Sequence, residues 1–167
     1  KLIEISLVSM YNGFQHDLKA VCDLAHAHGA YVYADIIQGV GAVPIDVRAT
    51  GLDFASTATY KWLMGDFGLG FFFVREELLG SVIQRPHWSY ESAPDAAIHL
   101  SPFDPQHGTP ITWTPGTGAS TYFQLGTMAN SVAAALGVSI PYIQQIGVDN
   151  IQKNRHPMLK GLQQGKS

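Results

Sequence analysis

A single cysteine, Cys22, occurs among the 167 residues, which excludes an internal disulfide and fits a reducing, cytoplasmic setting. Charge is scarce as well. Asp, Glu, Lys and Arg make up 14% of the chain, against roughly 25% in an ordinary soluble domain. Two explanations stay open: a chain covered on several sides by further protein, or a Gly- and Ala-rich α/β fold. The formal charge of −3 leaves no basic footprint, so nucleic acid is not an expected partner. Apolar runs such as Gly68–Val74 fall far short of the roughly 20 residues of a spanning helix, and no signal peptide is recognisable. A membrane is therefore not expected either.

Several catalytic and ligand-binding patterns are also missing. There is no Gly-Lys-Ser/Thr phosphate loop and no Gly-x-Ser-x-Gly nucleophile elbow. Gly65-x-x-Gly68-x-Gly70 leads into a strand pattern rather than a helix, so it fails as a dinucleotide loop. His26 and His28 stand two apart on a helical pattern and point to different faces, and the other histidines are scattered. No metal site is expected.

What is present is a hydrophobic fraction of 46%, enough for a real core, arranged in α/β order. Ile5–Met10 reads as a short strand closed by the turn-like Tyr11-Asn12-Gly13. Asp17 is placed to cap a helix and Gly29 to end it, with Leu18, Val21, Cys22 and Ala25 as its apolar stripe. Cys22 therefore reads as core. Ala30–Ile36 follows as a buried strand, and strand, helix, strand in this order predicts parallel pairing. A third strand is predicted over Asp53–Tyr60 and a fourth over Phe71–Val74. Gln84 to Thr117 reads as a long loop rich in Pro, His, Ser and aromatics. Met128–Ile146 has helical spacing that Pro141 is expected to kink or divide, and Val148–Gln164 reads as a further helix. The first residues already run as a strand and the last stay helical, so a longer protein is expected.

Open parallel sheets bind ligands at the carboxyl ends of their strands. Asp35 closes the second predicted strand and Lys61 follows the third. Such a pair suits pyridoxal phosphate (PLP), which needs an amine for its imine and an acid beside its pyridine nitrogen. The simpler reading is a helix-capping or ion-paired acid and a solvated lysine. Position alone does not choose between them.

The wording of these segments adds more. Ala34-Asp35-Ile36-Ile37-Gln38-Gly39-Val40-Gly41, then Asp53-Phe54, then Tyr60-Lys61-Trp62-Leu63-Met64-Gly65 through Phe71, resembles the class V aminotransferases. That family includes cysteine desulfurases, selenocysteine lyases, kynureninase and isopenicillin N epimerase. The likeness continues through Gln124-Leu125-Gly126-Thr127 and Ile146-Gly147-Val148, and so covers most of the chain.

The resemblance implies an α/β fold: part of the large domain of a fold-type I PLP-dependent transferase, its sheet mostly parallel with one antiparallel strand and helices packed on it. Residues 1–147 would be that partial PLP-binding domain, and 148–167 a helix leading toward a C-terminal small domain. It implies PLP as cofactor, an amino-acid substrate and a homodimer with the active site at the subunit interface. Lys61 resembles the Schiff-base lysine, Asp35 the partner of the pyridine nitrogen, and Gln38 the residue bonded to the phenolic oxygen. Tyr60 resembles the phosphate-contacting position, which is usually His in desulfurases and Tyr in kynureninases. Thr127 matches a residue that reaches the phosphate from the neighbouring subunit. Trp88 resembles a kynureninase tryptophan near the phosphate, or is an ordinary packed aromatic.

Two positions depart from the desulfurase pattern. Ala58 stands where many have a phosphate-binding Ser, with Ser56 and Thr59 as alternative hydroxyls, and Met10 stands where many have Asn. Arg48, Arg75, Arg85 and Arg155 read as surface residues. The family's PLP chemistry spans aminotransferases and desulfurase- or kynureninase-like lyases, and a non-catalytic binding relative is the alternative of another class.

Overall fold

A computed structural model describes residues 1–86, 116–124 and 126–165. Two compact units emerge, one formed by 1–73 with 128–167 and the other by 74–127.

The first unit is built on strands β1 (Leu2–Ser6), β2 (Tyr31–Asp35), β3 (Phe54–Ala58) and β4 (Gly70–Val74), which lie side by side in chain order. β1 pairs in parallel with β2, Leu2 opposite Tyr31 through Ser6 opposite Asp35, and β2 in parallel with β3. At the far edge Thr59 N donates to Leu69 O across 3.2 Å. The residue just after β3 thus meets the residue just before β4, which only an antiparallel neighbour allows. The sheet is mixed and mostly parallel, as the family resemblance implied.

β1 begins earlier than the apolar run suggests. Pairing starts at Leu2, and after Ser6 the chain leaves the ladder, with Val8 in an isolated antiparallel bridge to Gln15. The β-rich Leu7–Met10 segment is thereby spent on a turn, so the predicted Ile5–Met10 strand is corrected to Leu2–Ser6.

Helix α1 (Leu18–Ala27) crosses between β1 and β2. Asp17 caps it by accepting from Ala20 N, and Gly29 adopts φ +64°, a region that excludes most side chains. Leu18, Cys22 and Ala25 press onto Val32, Ala34 and Ala55, with Leu7, Val43 and Leu52 closing the cluster. Alanines on both surfaces let helix and sheet approach closely, and each large side chain fully buried here contributes about 1.5–3 kcal/mol. Cys22 is wholly buried in this core, as its place on the stripe required.

Asp53, fully buried at the start of β3, ties these layers together. Its Oδ2 accepts from Val32 N at 2.8 Å and lies 2.8 Å from His26 Nε2 on α1. A buried carboxylate needs such partners. The acid of the Asp-Phe motif is thus a clasp between helix and sheet. Helix α2 (Val47–Thr50) is a single capped turn, with Asp46 Oδ1 accepting from Arg48 N and Ala49 N. Those two backbone N–H groups hold the Asp46 carboxyl below its ordinary value.

Helices α4 (Asn130–Ile146) and α5 (Val148–Gln163) meet at Gly147, which takes φ +83°. Pro141 sits inside α4 without dividing it. Val132, Leu136 and Ile143 of α4 gather around Leu63, with Val40, Leu69, Val148 and Ile151 at the edge. This second core lies directly behind the turns that follow β2 and β3.

Within 74–127, a 3₁₀ turn (Glu76–Leu78) and the short helix α3 (Ser120–Phe123) are described. Arg85 is half-buried there, against the surface role expected from sequence. Its guanidinium donates to Thr121 O and, at 2.7 Å, to Gly116 O, and stands 4.4 Å from the Tyr122 ring centroid.

Candidate functional site

Asp35 ends β2 between two serines, with Ser6 opposite it on β1 and Ser56 opposite it on β3. Its Oδ1 accepts from Ile37 N at 2.9 Å, which fixes the carboxylate at the head of a turn. That turn winds on through Gly39 N and Val40 N, both donating to Ile36 O at 2.9 Å. Oδ2 of Asp35 has no hydrogen-bond partner among the described residues, and neither does the half-buried amide of Gln38.

Lys61 leaves β3 on a second turn. Thr59 N and Oγ1 both bond to Leu69 O, and Oγ1 also reaches Asp66 O at 3.0 Å. Gly65 N returns to Thr59 O at 2.9 Å, and Met64 N to Lys61 O at 3.0 Å. The loop is tight enough to drive Met64 to φ +56°, a left-handed conformation that costs a non-glycine residue about 1–2 kcal/mol. A side chain on Gly65 would meet the Thr59 side chain at 2.8 Å and Leu136 at 2.9 Å. Lys61 itself is half-buried. Its Nζ lies 5.9 Å from the Tyr60 ring centroid and forms no hydrogen bond or ion pair among the described residues.

Asp35, Gln38, Tyr60 and Lys61 therefore all lie just beyond, or at, the carboxyl ends of two adjacent parallel strands. Asp35 caps a turn rather than a helix, since no helix follows β2 directly. Tyr60 is 40% exposed and stacks on Phe67 with ring centroids 4.6 Å apart. Thr127 is exposed and belongs to the second unit, and Trp88 lies outside the described residues.

The two alternative hydroxyls separate clearly. Thr59 is fully buried and its hydroxyl is taken up by main-chain carbonyls of the turn, so it is not available to a ligand. Ser56 sits on the Asp35 face and hydrogen-bonds Tyr33. Carboxylate, amide and primary amine form a donor set that can hold a protonated ring nitrogen, a phenolic oxygen and an aldehyde carbon.

A mostly parallel sheet with these groups at its strand ends is the architecture of fold-type I PLP-dependent enzymes. The comparisons with known proteins agree. The aminotransferase class-V family model matches residues 1–165. Proteins named cysteine desulfurase from Escherichia coli (strain K12 / DH10B) and Shigella sonnei (strain Ss046) are each 34% identical over 151 residues, covering 90% of this chain and 34% of theirs. The apo structure of a cysteine desulfurase from Thermococcus onnurineus NA1 superposes with a TM-score of 0.76 at 25% identity, over 99% of this chain and 38% of that one. The Escherichia coli cysteine desulfurase CsdA superposes at 0.66 with 19% identity, covering 90% of this chain and 34% of that one, which supports the fold alone. The chain belongs to the class-V aminotransferase family. It spans about a third of the length of the curated relatives it matches.

Proposed function

We propose that the chain is the cofactor-holding part of a PLP-dependent enzyme that transforms an amino acid, with Lys61 as the residue that binds PLP covalently. The observation that carries this reading is the placement of Asp35 and Lys61 at the ends of paired parallel strands, with Oδ2 and Nζ unclaimed among the described residues. When bound, PLP supplies an electron sink for the bond being broken at the substrate's α-carbon.

The chain's own residues then divide the work. Asp35 Oδ2 would hold a protonated ring nitrogen, and Ile37 N, donating to Oδ1, keeps the carboxylate aimed. Gln38 would donate its amide to the phenolic oxygen. Tyr60 would offer its hydroxyl to the phosphate, and Thr127 would do so from the neighbouring subunit of a homodimer. The Lys61 amine would hold the cofactor's aldehyde carbon and, when not so engaged, could take and return a proton at the substrate carbon. Helix α5 leads on toward a C-terminal domain, and the working compartment is the cytoplasm.

Among family reactions, the 34% identity to proteins named cysteine desulfurase supports sulfur removal from cysteine. Met10, Ala58 and Tyr60 stand apart from the desulfurase pattern and favour a kynureninase-like lyase or an aminotransferase instead. Sulfide and alanine released from cysteine would select the first, and amino transfer to a keto acid the last.

Adding PLP to the whole protein is expected to produce the absorbance band of a protonated imine, and Lys61→Ala is expected to abolish it. A whole protein that binds no PLP would instead place the chain among non-catalytic relatives of the family.

A further inference from the structure

We propose that Arg155 is a positioning residue for Lys61, a clamp on α5 that fixes the two strand-end turns against one another. The inference rests on the PLP reading for its consequence, but its geometry stands apart from it.

The sequence reading left Arg155 on the surface. It is instead half-buried, and it donates from a guanidinium nitrogen to Ala42 O at 3.3 Å. The same guanidinium lies 5.6 Å from the ring centroid of Trp62, within cation–π range. Ala42 belongs to the turn that carries Asp35 and Gln38, and Trp62 is the residue directly after Lys61. One side chain thus grips both turns.

Two further observations show that the turns form one packed unit. Gly41 adopts φ +83°, and a Cβ built on it would stand 2.9 Å from Trp62 O. Main chain touches main chain there. Behind them Val40 and Leu63 share the apolar cluster of α4 and α5 with Val148 and Ile151. The apolar contacts resist separation of helix and turns but are not directional. Arg155 supplies the direction, because a planar guanidinium can stack on one group while it donates in its own plane to another.

The position of α5 is thereby read out at Lys61. A shift of the helix moves Trp62, and Trp62 moves the backbone from which the lysine side chain projects. Small displacements at a reacting group cost rate steeply.

Hydrogen exchange on the full chain, without cofactor, tests the clamp. In Arg155→Ala the Met64 and Gly65 amides, which close the Lys61 turn, are expected to exchange on the order of tenfold faster, while the core amides Leu7 and Ile36 keep their wild-type rates. Arg155→Lys retains the charge over the ring without the fork, and is expected to fall between. Uniform acceleration of all four amides would mean that Arg155 merely adds global stability and would overturn the proposal, as would no change at any of them. A second measurement, the fraction of Lys61 linked to PLP at a fixed cofactor concentration, is expected to fall several-fold in Arg155→Ala. If wild type itself took no PLP while the turn amides still responded selectively, the PLP reading would fail and the clamp would stand.

Discussion

Asp35→Asn is expected to lower turnover of the amino-acid substrate by about two to three orders of magnitude, with little change in KM and an intact fold. Asparagine matches aspartate in shape, and its Oδ1 still accepts from Ile37 N, now held at 2.9 Å. Pairing with Ser6 and Ser56 is a backbone property and survives the change. Only the negative charge is lost, and with it the group that, on the proposed function, would keep a proton on the ring nitrogen. The deficit should appear where charge develops, in kcat, rather than in substrate binding. Steady-state kinetics beside a thermal melt would check this. A variant with wild-type kcat would show that Asp35 only shapes the turn.

Gly41→Ala is expected to destabilise the protein by about 2–4 kcal/mol. Two costs combine. The backbone sits at φ +83°, where an L side chain is strained, and the added Cβ would stand 2.9 Å from Trp62 O. The obstacle is main chain, so it does not move aside by changing rotamer. Relief requires the Lys61 turn to shift. PLP linkage at Lys61 should therefore weaken along with stability, whereas Gly13→Ala, at φ +70° with open space around the Cβ, should show the strain alone. Chemical denaturation of the two variants separates the contributions. Equal losses would argue against close packing of the two turns.

Much of this was legible in the sequence, for identifiable reasons. The Asp17 cap, the Leu18, Cys22 and Ala25 stripe and the Gly29 stop are local signals, and α1 follows them closely. The Ala34–Asp35 and Tyr60–Lys61 segments could be located because strand ends and turn residues are written locally too. The first strand was misplaced because β propensity does not say which residues find a partner. Leu2–Ser6 has Tyr31–Asp35 beside it, and the pairing with β2 stops at Leu7 N, which donates to Asp35 O. Pro141 does not divide the helix, since its missing N–H removes one hydrogen bond while the turns on either side keep theirs.

The site was harder where roles depend on distant contacts. Asp53 reads as a motif letter until the fold brings His26 and Val32 N to it. Thr59 and Ser56 are equal candidates until burial shows the Thr59 hydroxyl enclosed within its own turn. Arg155 lies 94 residues beyond Lys61 in the chain, and no local pattern signals that its guanidinium rests on Trp62. An arginine among polar neighbours on a helix looks solvated. Only packing distinguishes a clamp from a surface charge.

On the proposed function Lys61, and no other lysine, holds the cofactor. Borohydride reduction of the PLP-loaded whole protein tests it most directly, since hydride converts the imine to a stable secondary amine that survives proteolysis. Peptide mass spectrometry is predicted to find the pyridoxyl group on Lys61 alone, and to find none in Lys61→Ala. Labelling spread over surface lysines such as Lys19 and Lys153, or undiminished in that variant, would contradict the account.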